Sequence, residues 1–163
     1  FVGTWAAQGG AVLGDRQNCE KLLERNQSVL VFPEGVRGVS KSTKDFYKVQ
    51  SFTRGFFRIA LSSGVPILPI AVVGAEEVFP YVYQAKSIAK KLGLPALPIS
   101  ANYLPLPSPI DIYIGEPYMP PKHLNAESSD KDIDLHIFEI ESIIQKMTNE
   151  GLKKRRTFWA NAK

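Results

Sequence analysis

The sequence predicts an α/β fold: a central mixed, mostly parallel sheet flanked by helices. Two apolar runs, Val29–Phe32 and Val65–Val73, read as strands buried inside a sheet. Apolar residues also recur at helical spacing, as Phe52, Phe56, Ile59 and Ala60 and again as Ile133, Ile137, Ile140, Ile144 and Met147. At 163 residues, with 44% hydrophobic and 22% charged residues, the chain has the length and composition of one globular domain with a proper core.

In chain order, Phe1–Gly10 is too irregular for a helix. Phe1 and Trp5 read as core residues, with a lip at a membrane interface as the other reading. Gly10–Arg16 reads as a short strand running into a turn, which leaves the Arg16 guanidinium just past the strand. Asp15 or Asn18 caps a helix to about Arg25, with Leu22 and Leu23 on its apolar side. Cys19 falls on this helix and reads as a packing residue, since no histidine is near in sequence to activate it. As the single cysteine it excludes an internal disulfide and a multi-cysteine metal site, and it fits a reducing compartment.

Ser28–Gly38, SVLVFPEGVRG, is the stretch that organises the chain. Its apolar run ends at Pro33, which lacks an N–H and cannot continue a central ladder. Glu34, Gly35, Arg37 and Gly38 follow at the strand's carboxyl end, where α/β proteins bind ligands. The planar fork of Arg37 suits a phosphate or carboxylate, and the two glycines let backbone N–H groups approach an anion. A tight turn carrying an exposed Glu34–Arg37 ion pair is the plainer alternative.

Val39–Lys48 reads as a surface loop pinned by Phe46 and Tyr47. Lys41, Lys44 and Lys48 are solvated there or face a phosphate-bearing ligand. Phe52–Ser62 has the spacing of an amphipathic helix, with Arg54 and Arg58 sharing another face and Gly64 as its C-cap. Those arginines form a solvated basic face or border a ligand site. Val65–Val73 reads as a strand buried on both faces, with Pro66 and Pro69 placing its start or one edge outside the ladder. Glu76 and Glu77 follow it, reaching the same crevice or capping the next turn.

Tyr81–Leu92 reads as a short helix ending at Lys90–Lys91 and stopped by Gly93. Residues 94–109 are apolar and stiffened by five prolines, which suits a cover over an apolar groove or a bilayer and equally a loop packed across the core. Ile110–Gly115 alternates as a strand, and Pro120–Ser129, which holds His123, is linker-like. Asp130–Leu152 carries the strongest helical pattern, with acids at its start and Lys153–Arg156 at its end, matching the helix dipole. His136 within it reads as a surface or packing residue. The closing basic run with Phe158 and Trp159 meets anionic lipid or is a solvated end.

The net charge is +4, and residues 1–58 hold nine Lys/Arg against five Asp/Glu, so the basic excess lies beside the Ser28–Gly38 stretch. That favours anionic headgroups, phosphorylated substrates or acyl-CoA phosphates. Nucleic acid ranks low, because there is no zinc spacing, base-reading motif or aromatic–basic strand signature. No run approaches the roughly 20 apolar residues of a spanning helix, and no signal-peptide pattern opens the sequence.

FPEGVRG at Phe32–Gly38 resembles the FPEG-[ST]-R block of the glycerolipid acyltransferase family, which includes the lysophosphatidic acid acyltransferases. GAVLGDR at Gly10–Arg16 resembles the preceding block and VPILPI at Val65–Ile70 the following one, and three blocks in one order are more specific than any alone. The resemblance covers roughly residues 1–118, and Lys44–Ala60 is closer to the branch that acylates mono- and diacylglycerols. It implies a glycerol-3-phosphate acyltransferase-like fold, incomplete at the N-terminus. Residues 1–118 would be the C-terminal part of an acyltransferase domain, and residues 119–163 a linker and amphipathic helix packed on it. The implied reaction moves a fatty acyl group from acyl-CoA or acyl carrier protein to a glycerolipid hydroxyl at the cytoplasmic face of a membrane, with no metal or organic cofactor. Carried over residue by residue, Arg16 and Arg37 would hold a phosphate or glycerol headgroup, and Glu34 with Gly35 would shape the acceptor pocket.

Two departures stand out. Val36 occupies the position of the family's Thr or Ser, and the His-x-x-x-x-Asp block is absent. The histidines are His123 and His136; Glu141 lies at the right separation from His136 but is the wrong acid in the wrong place. The catalytic His and Asp are therefore expected upstream of Phe1, and the chain alone is expected to be inactive. A non-catalytic lipid- or phosphate-binding module on the same scaffold is the alternative. A hydrolase using Cys19 or a serine with His123 has no supporting constellation.

Overall fold

The computed structural model describes residues 15–39, 41, 43–79, 81–84, 98–100 and 104–155. In chain order the elements are α1 (Arg16–Glu24), the single turn α2 (Val36–Val39), α3 (Gly55–Ser63), β1 (Ile70–Val73), β2 (Tyr81–Gln84), β3 (Pro98–Ser100), β4 (Asp111–Ile114) and α4 (Asp130–Lys154). Short 3-10 turns occur at Thr43–Asp45 and Ala75–Glu77.

Helix α4 forms because Ile133, Ile137 and Ile140 recur along one stripe, and all three are buried. The Ser129 hydroxyl caps it by accepting from the Asp132 N–H at 3.2 Å. Asp130 and Asp132 in the first turn and Lys153 and Lys154 in the last complement the dipole. The stripe closes on Phe57 of α3, and Phe52, Phe56, Ile67, Tyr118 and Ile144 pack around this cluster. Helix α3 ends at Gly64, whose φ of 63° is the left-handed cap the sequence predicts. Helix α1 packs against α3, and its Cys19 is a buried free thiol.

β1 and β4 pair antiparallel, with Ala71 opposite Tyr113 and Val72 opposite Ile112. A bridge between Ile67 and Tyr118 extends the pairing. Helix α4 covers one face of this pair so closely that a Cβ on Gly151 would stand 2.5 Å from the Tyr113 ring and 2.9 Å from Val73. β2 and β3 form a second antiparallel pair.

The mostly parallel central sheet is thus not what the described residues form: both sheets are two-stranded and antiparallel. Val29–Phe32 belongs to no strand, and Leu30 and Phe32 are 69% and 78% exposed. An apolar run becomes a buried strand only beside a ladder partner, and no described element supplies one. Val65–Val73 shortens to Ile70–Val73, and its burial alternates, with Ala71 and Val73 buried under α4 and Val72 exposed. One covering helix buries one face, so the expectation of burial on both faces fails. The helix expected from Tyr81 starts instead as β2; Tyr-Val-Tyr favours a strand over a helix. The expected helix at Phe52 begins three residues later, because the Phe52 N–H is held at 2.6 Å by Glu141. Phe57, not Phe56, is its fully buried residue. Readings for Phe1, Trp5, Gly10–Gly14, residues 85–97, Phe158 and Trp159 lie outside the described residues.

Two substitutions test this packing. Ile140→Ala should cost about 2–5 kcal/mol in urea unfolding, the range for a buried large-to-small change. Gly151→Ala should also destabilise: a helical Gly→Ala change normally gains about 1 kcal/mol, but overpacking against Tyr113 and Val73 costs about 1–3 kcal/mol.

Candidate functional site

The motif turn is built by its own backbone and backed by residues 47–53. The Gly35 N–H donates to the Phe32 carbonyl at 3.0 Å, and the Gly38 N–H to the Gly35 carbonyl at 3.1 Å. Gly35 has φ +58°, a conformation that glycine adopts without steric cost. Gly38 lies against Glu34, where a Cβ would come within 2.4 Å of Oε2. Behind the turn, Pro33 O accepts from the Thr53 N–H at 3.0 Å. Glu34 Oε1 accepts from the Gln50 N–H at 3.0 Å, and Arg37 Nη2 donates to Ser51 O at 2.9 Å.

Glu34 is turned into the protein. Its Oε2 lies 3.7 Å from Lys41 Nζ, and that ammonium also pairs with Glu76 Oε1 at 2.6 Å and donates to Lys48 O at 3.1 Å. The Lys41 side chain is only 11% exposed, whereas the Lys48 side chain is 64% exposed and pairs with Asp45. Lys41 is therefore not the solvated loop lysine that the sequence suggests. Glu76 Oε2 in turn accepts from the Tyr47 N–H at 2.5 Å, and Tyr47 has a left-handed φ of 62°.

The neighbouring glutamate is equally engaged. Tyr47 donates its hydroxyl to Glu77 Oε1 at 2.6 Å, and Arg155 grips both Glu77 oxygens through Nη1 and Nη2. Arg155 Nη2 also donates to Ser108 Oγ at 3.0 Å, and that hydroxyl donates to Gly74 O at 2.9 Å. Burial alone would raise the Glu77 carboxyl, but the hydrogen bonds from Arg155 and Tyr47 outweigh it and hold Glu77 below its ordinary value. Burial, then the Glu77 carboxylate, push the Tyr47 phenol up.

The structure brings Glu34, Gly35 and Arg37 together on one turn and ties Arg16 to other partners. Arg16 is exposed, donates to Glu20 at 2.9 Å and lies 3.8 Å from Glu127. Arg54 and Arg58 are paired across to α4: the exposed Arg54 forms a bidentate pair with Asp134 at 2.6 and 2.7 Å, and the half-buried Arg58 pairs with Asp130 at 2.7 Å. His136 Nδ1 sits 2.7 Å from the Tyr118 hydroxyl, and its ring stacks on Phe57 at 5.8 Å. That is the packing role its place on α4 predicts, and His123 is exposed. Among the described residues no group of three or more His, Cys, Asp or Glu could hold a metal ion. A groove of about 600 Å³, open to solvent and lined partly by Val49, Phe138, Gln145 and Lys153, runs along α4 and includes no motif residue.

Chemically, the turn presents an exposed guanidinium to an anion, whereas the Gly35 and Gly38 N–H groups that the sequence reading gave to the anion are used inside the turn, and the turn has no base to take a hydroxyl proton. Tyr47 pins the loop as the sequence reading expects, through Glu76 and Glu77, whereas that reading missed Lys41, Glu141 and Gln145 as parts that hold the turn in place. The one signal pointing to them is the i,i+4 spacing of Glu141 and Gln145 beside the isoleucine stripe.

The Glu77 pairing fixes a pH dependence. A carboxyl held low when folded contributes stability that is complete above its unfolded value and is lost as pH falls through the folded value. Thermal midpoints should therefore drop as pH goes below about 4.5, the ordinary value for Glu. Glu77→Gln should lower the midpoint at neutral pH and flatten that acid slope.

Residues 1–73 match the Acyltransferase family model. The uncharacterized protein Rv0502 of Mycobacterium tuberculosis is 29% identical over 168 residues, spanning 97% of this chain and 47% of that protein. The chloroplastic 1-acyl-sn-glycerol-3-phosphate acyltransferase LPAT1 of Arabidopsis thaliana is 36% identical over 64 residues, 39% of this chain and 16% of that one. The chain thus spans less than half the length of these relatives. The crystal structure of the 1-acyl-sn-glycerophosphate acyltransferase PlsC from Thermotoga maritima superposes with a TM-score of 0.53 at 21% identity, covering 89% of this chain and 46% of that one, and so shares its fold. The family match over residues 1–73 includes the FPEGVRG, GAVLGDR and VPILPI blocks and agrees with the reading of them: this part of the chain is similar to the glycerolipid acyltransferases.

Proposed function

We propose that these residues form the acceptor-binding part of an O-acyltransferase that moves a fatty acyl group from acyl-CoA, or acyl carrier protein, to the free hydroxyl of lysophosphatidic acid. The observation that carries this reading is the Phe32–Gly38 turn, with its left-handed Gly35 and exposed Arg37 fixed from behind by residues 50–53. Such a turn suits a phosphate monoester: a guanidinium fork matches phosphate oxygens, and the turn's internal hydrogen bonds hold the segment that carries it. The name of the Arabidopsis relative supports the same acceptor class.

In the reaction the acceptor hydroxyl oxygen attacks the thioester carbonyl, a C–O bond forms, the C–S bond breaks, and the hydroxyl proton passes through a base to the leaving thiolate. Residues 1–163 contain no His-x-x-x-x-Asp, so this reading assigns them binding and orientation and not the base. The Arg37 turn supplies binding and orientation, which alone can lower a barrier by several kcal/mol, about 7–11 in well-oriented systems. No metal or organic cofactor enters this scheme, and Arg16 serves the headgroup from α1. The reaction belongs at the cytoplasmic face of a membrane. Exposed Phe79, Leu104 and Leu106 support a lipid surface as partner, although no described helix is long and apolar enough to cross a membrane.

CoA release by the whole protein, with long-chain acyl-CoA and either lysophosphatidic acid or monoacylglycerol, tests the proposal. Release should depend on lysophosphatidic acid, and Arg37→Ala should lower kcat/KM for that acceptor by about 10–100-fold, as expected for a lost charge-assisted pair. Release that prefers monoacylglycerol and ignores Arg37→Ala would overturn the acceptor assignment. No release with any acceptor, despite intact lipid binding, would establish the non-catalytic module instead.

A further inference from the structure

We propose that Lys41 is a positioning residue for the motif turn, its ammonium acting as the clasp between Glu34 of the turn and Glu76 beyond β1. The inference rests on the acceptor reading above and adds what keeps that turn in its binding shape.

Lys41 has three donors and three acceptors around it: Glu76 Oε1 at 2.6 Å, Lys48 O at 3.1 Å and Glu34 Oε2 at 3.7 Å. Its side chain is 11% exposed, and those of Glu34 and Glu76 are 19% and 25% exposed. An ammonium this far out of water is retained only when paired, and here it is paired twice. Both carboxylates do further work with their other oxygen. Glu34 Oε1 holds the Gln50 N–H at 3.0 Å, and Glu76 Oε2 holds the Tyr47 N–H at 2.5 Å. Tyr47 has φ 62°, a conformation a bulky residue keeps only when its surroundings impose it. One cation therefore fixes two carboxylates, and each carboxylate fixes one amide of the strap behind the turn.

Without the cation, two glutamates sharing one ammonium site face each other with like charge in a half-buried setting, and like charges there disfavour the compact arrangement. Glu34 is also the residue Gly38 packs against, so a shifted Glu34 side chain moves the turn that carries Arg37. The Lys41 ammonium donates to Glu76 and Lys48 O, stands in ion-pair range of Glu34 and is turned inward. Its effect on an acceptor passes through Glu34.

The experiment uses the whole protein with Lys41→Met, Lys41→Arg and the double variant Lys41→Met/Glu76→Gln. The first readout is amide hydrogen exchange. Lys41→Met should speed exchange at Tyr47 and Gln50 by about tenfold or more, while Val49 and Phe52, whose N–H groups are held by Gln145 and Glu141 of α4, stay protected. The second readout is CoA release. Lys41→Met should raise KM for lysophosphatidic acid by about tenfold with kcat within about twofold, Lys41→Arg should restore most of that loss, and removing the Glu76 charge should restore part of it. Unchanged exchange at Tyr47 and Gln50 overturns the proposal, as does faster exchange at all four amides together, which marks general destabilisation. If the wild-type protein transfers no acyl group, the acceptor reading fails, and the exchange pattern alone still decides the role of Lys41.

Discussion

A backbone segment without a strand neighbour must find its hydrogen bonds in side chains or water, and residues 47–53 meet that demand from two directions. Val49 N–H is accepted by Gln145 at 2.8 Å and Phe52 N–H by Glu141 at 2.6 Å, both from α4. Gln50 N–H is accepted by Glu34 at 3.0 Å and Thr53 N–H by Pro33 O at 3.0 Å, both from the motif turn. Gln145 closes the arrangement by donating its amide to Tyr47 O at 2.9 Å. The segment is thus a strap, with the longest helix on one side and the FPEG turn on the other. Each bond adds only about 0.5–1.5 kcal/mol net, but leaving a buried N–H unpaired costs about 1–3 kcal/mol, so the set specifies one geometry more than it adds stability.

Stability comes from the cluster under the strap. Burying side chains such as Phe57, Ile133 and Ile140 contributes about 1.5–3 kcal/mol each. The pairs of Arg54 with Asp134 and Arg58 with Asp130 lie between α3 and the first turns of α4, partly exposed, and pairs of that kind contribute about 0–1 kcal/mol. Their role is orientation. The bidentate Arg54–Asp134 fork and the donation from Arg58 to the Ala126 and Ser128 carbonyls fix where α4 begins relative to α3. Glu141 and Gln145 are then delivered to the strap two and three turns further along the helix.

The parts legible in the sequence are those set by local pattern. The isoleucine stripe of α4, the Gly64 cap, the turn at Pro33–Gly38 and the β4 alternation follow from spacing and backbone chemistry at single residues. The resemblance to the acyltransferases rests on three short blocks, each read from residue type and order alone. What escaped needs partners distant in sequence. Nothing around Lys41 distinguishes it from Lys44 or Lys48; its burial depends on Glu76, a residue 35 positions away. Val29–Phe32 looks like a strand because its composition encodes burial, yet pairing belongs to a neighbour, and among the described residues none is beside it. The same holds for Val72 and Ile112, which face away from α4 and are 44% and 64% exposed. Hydrophobic pattern states that a face wants cover; it does not state what covers it.

The way the turn is held bears on how it binds. A flexible glycine-containing loop would have to lose conformational freedom on meeting an anion, and that loss subtracts from affinity. Here the freedom is already spent: Gly35 is set by the Phe32 carbonyl, Pro33 and Glu34 are bonded to the strap, and Arg37 is oriented by the Ser51 carbonyl. A guanidinium aligned in advance loses less entropy per bond formed than a free lysine would. The bulk of the chain, from α3 through α4, can then be understood as a frame that keeps the Phe32–Gly38 turn in one conformation.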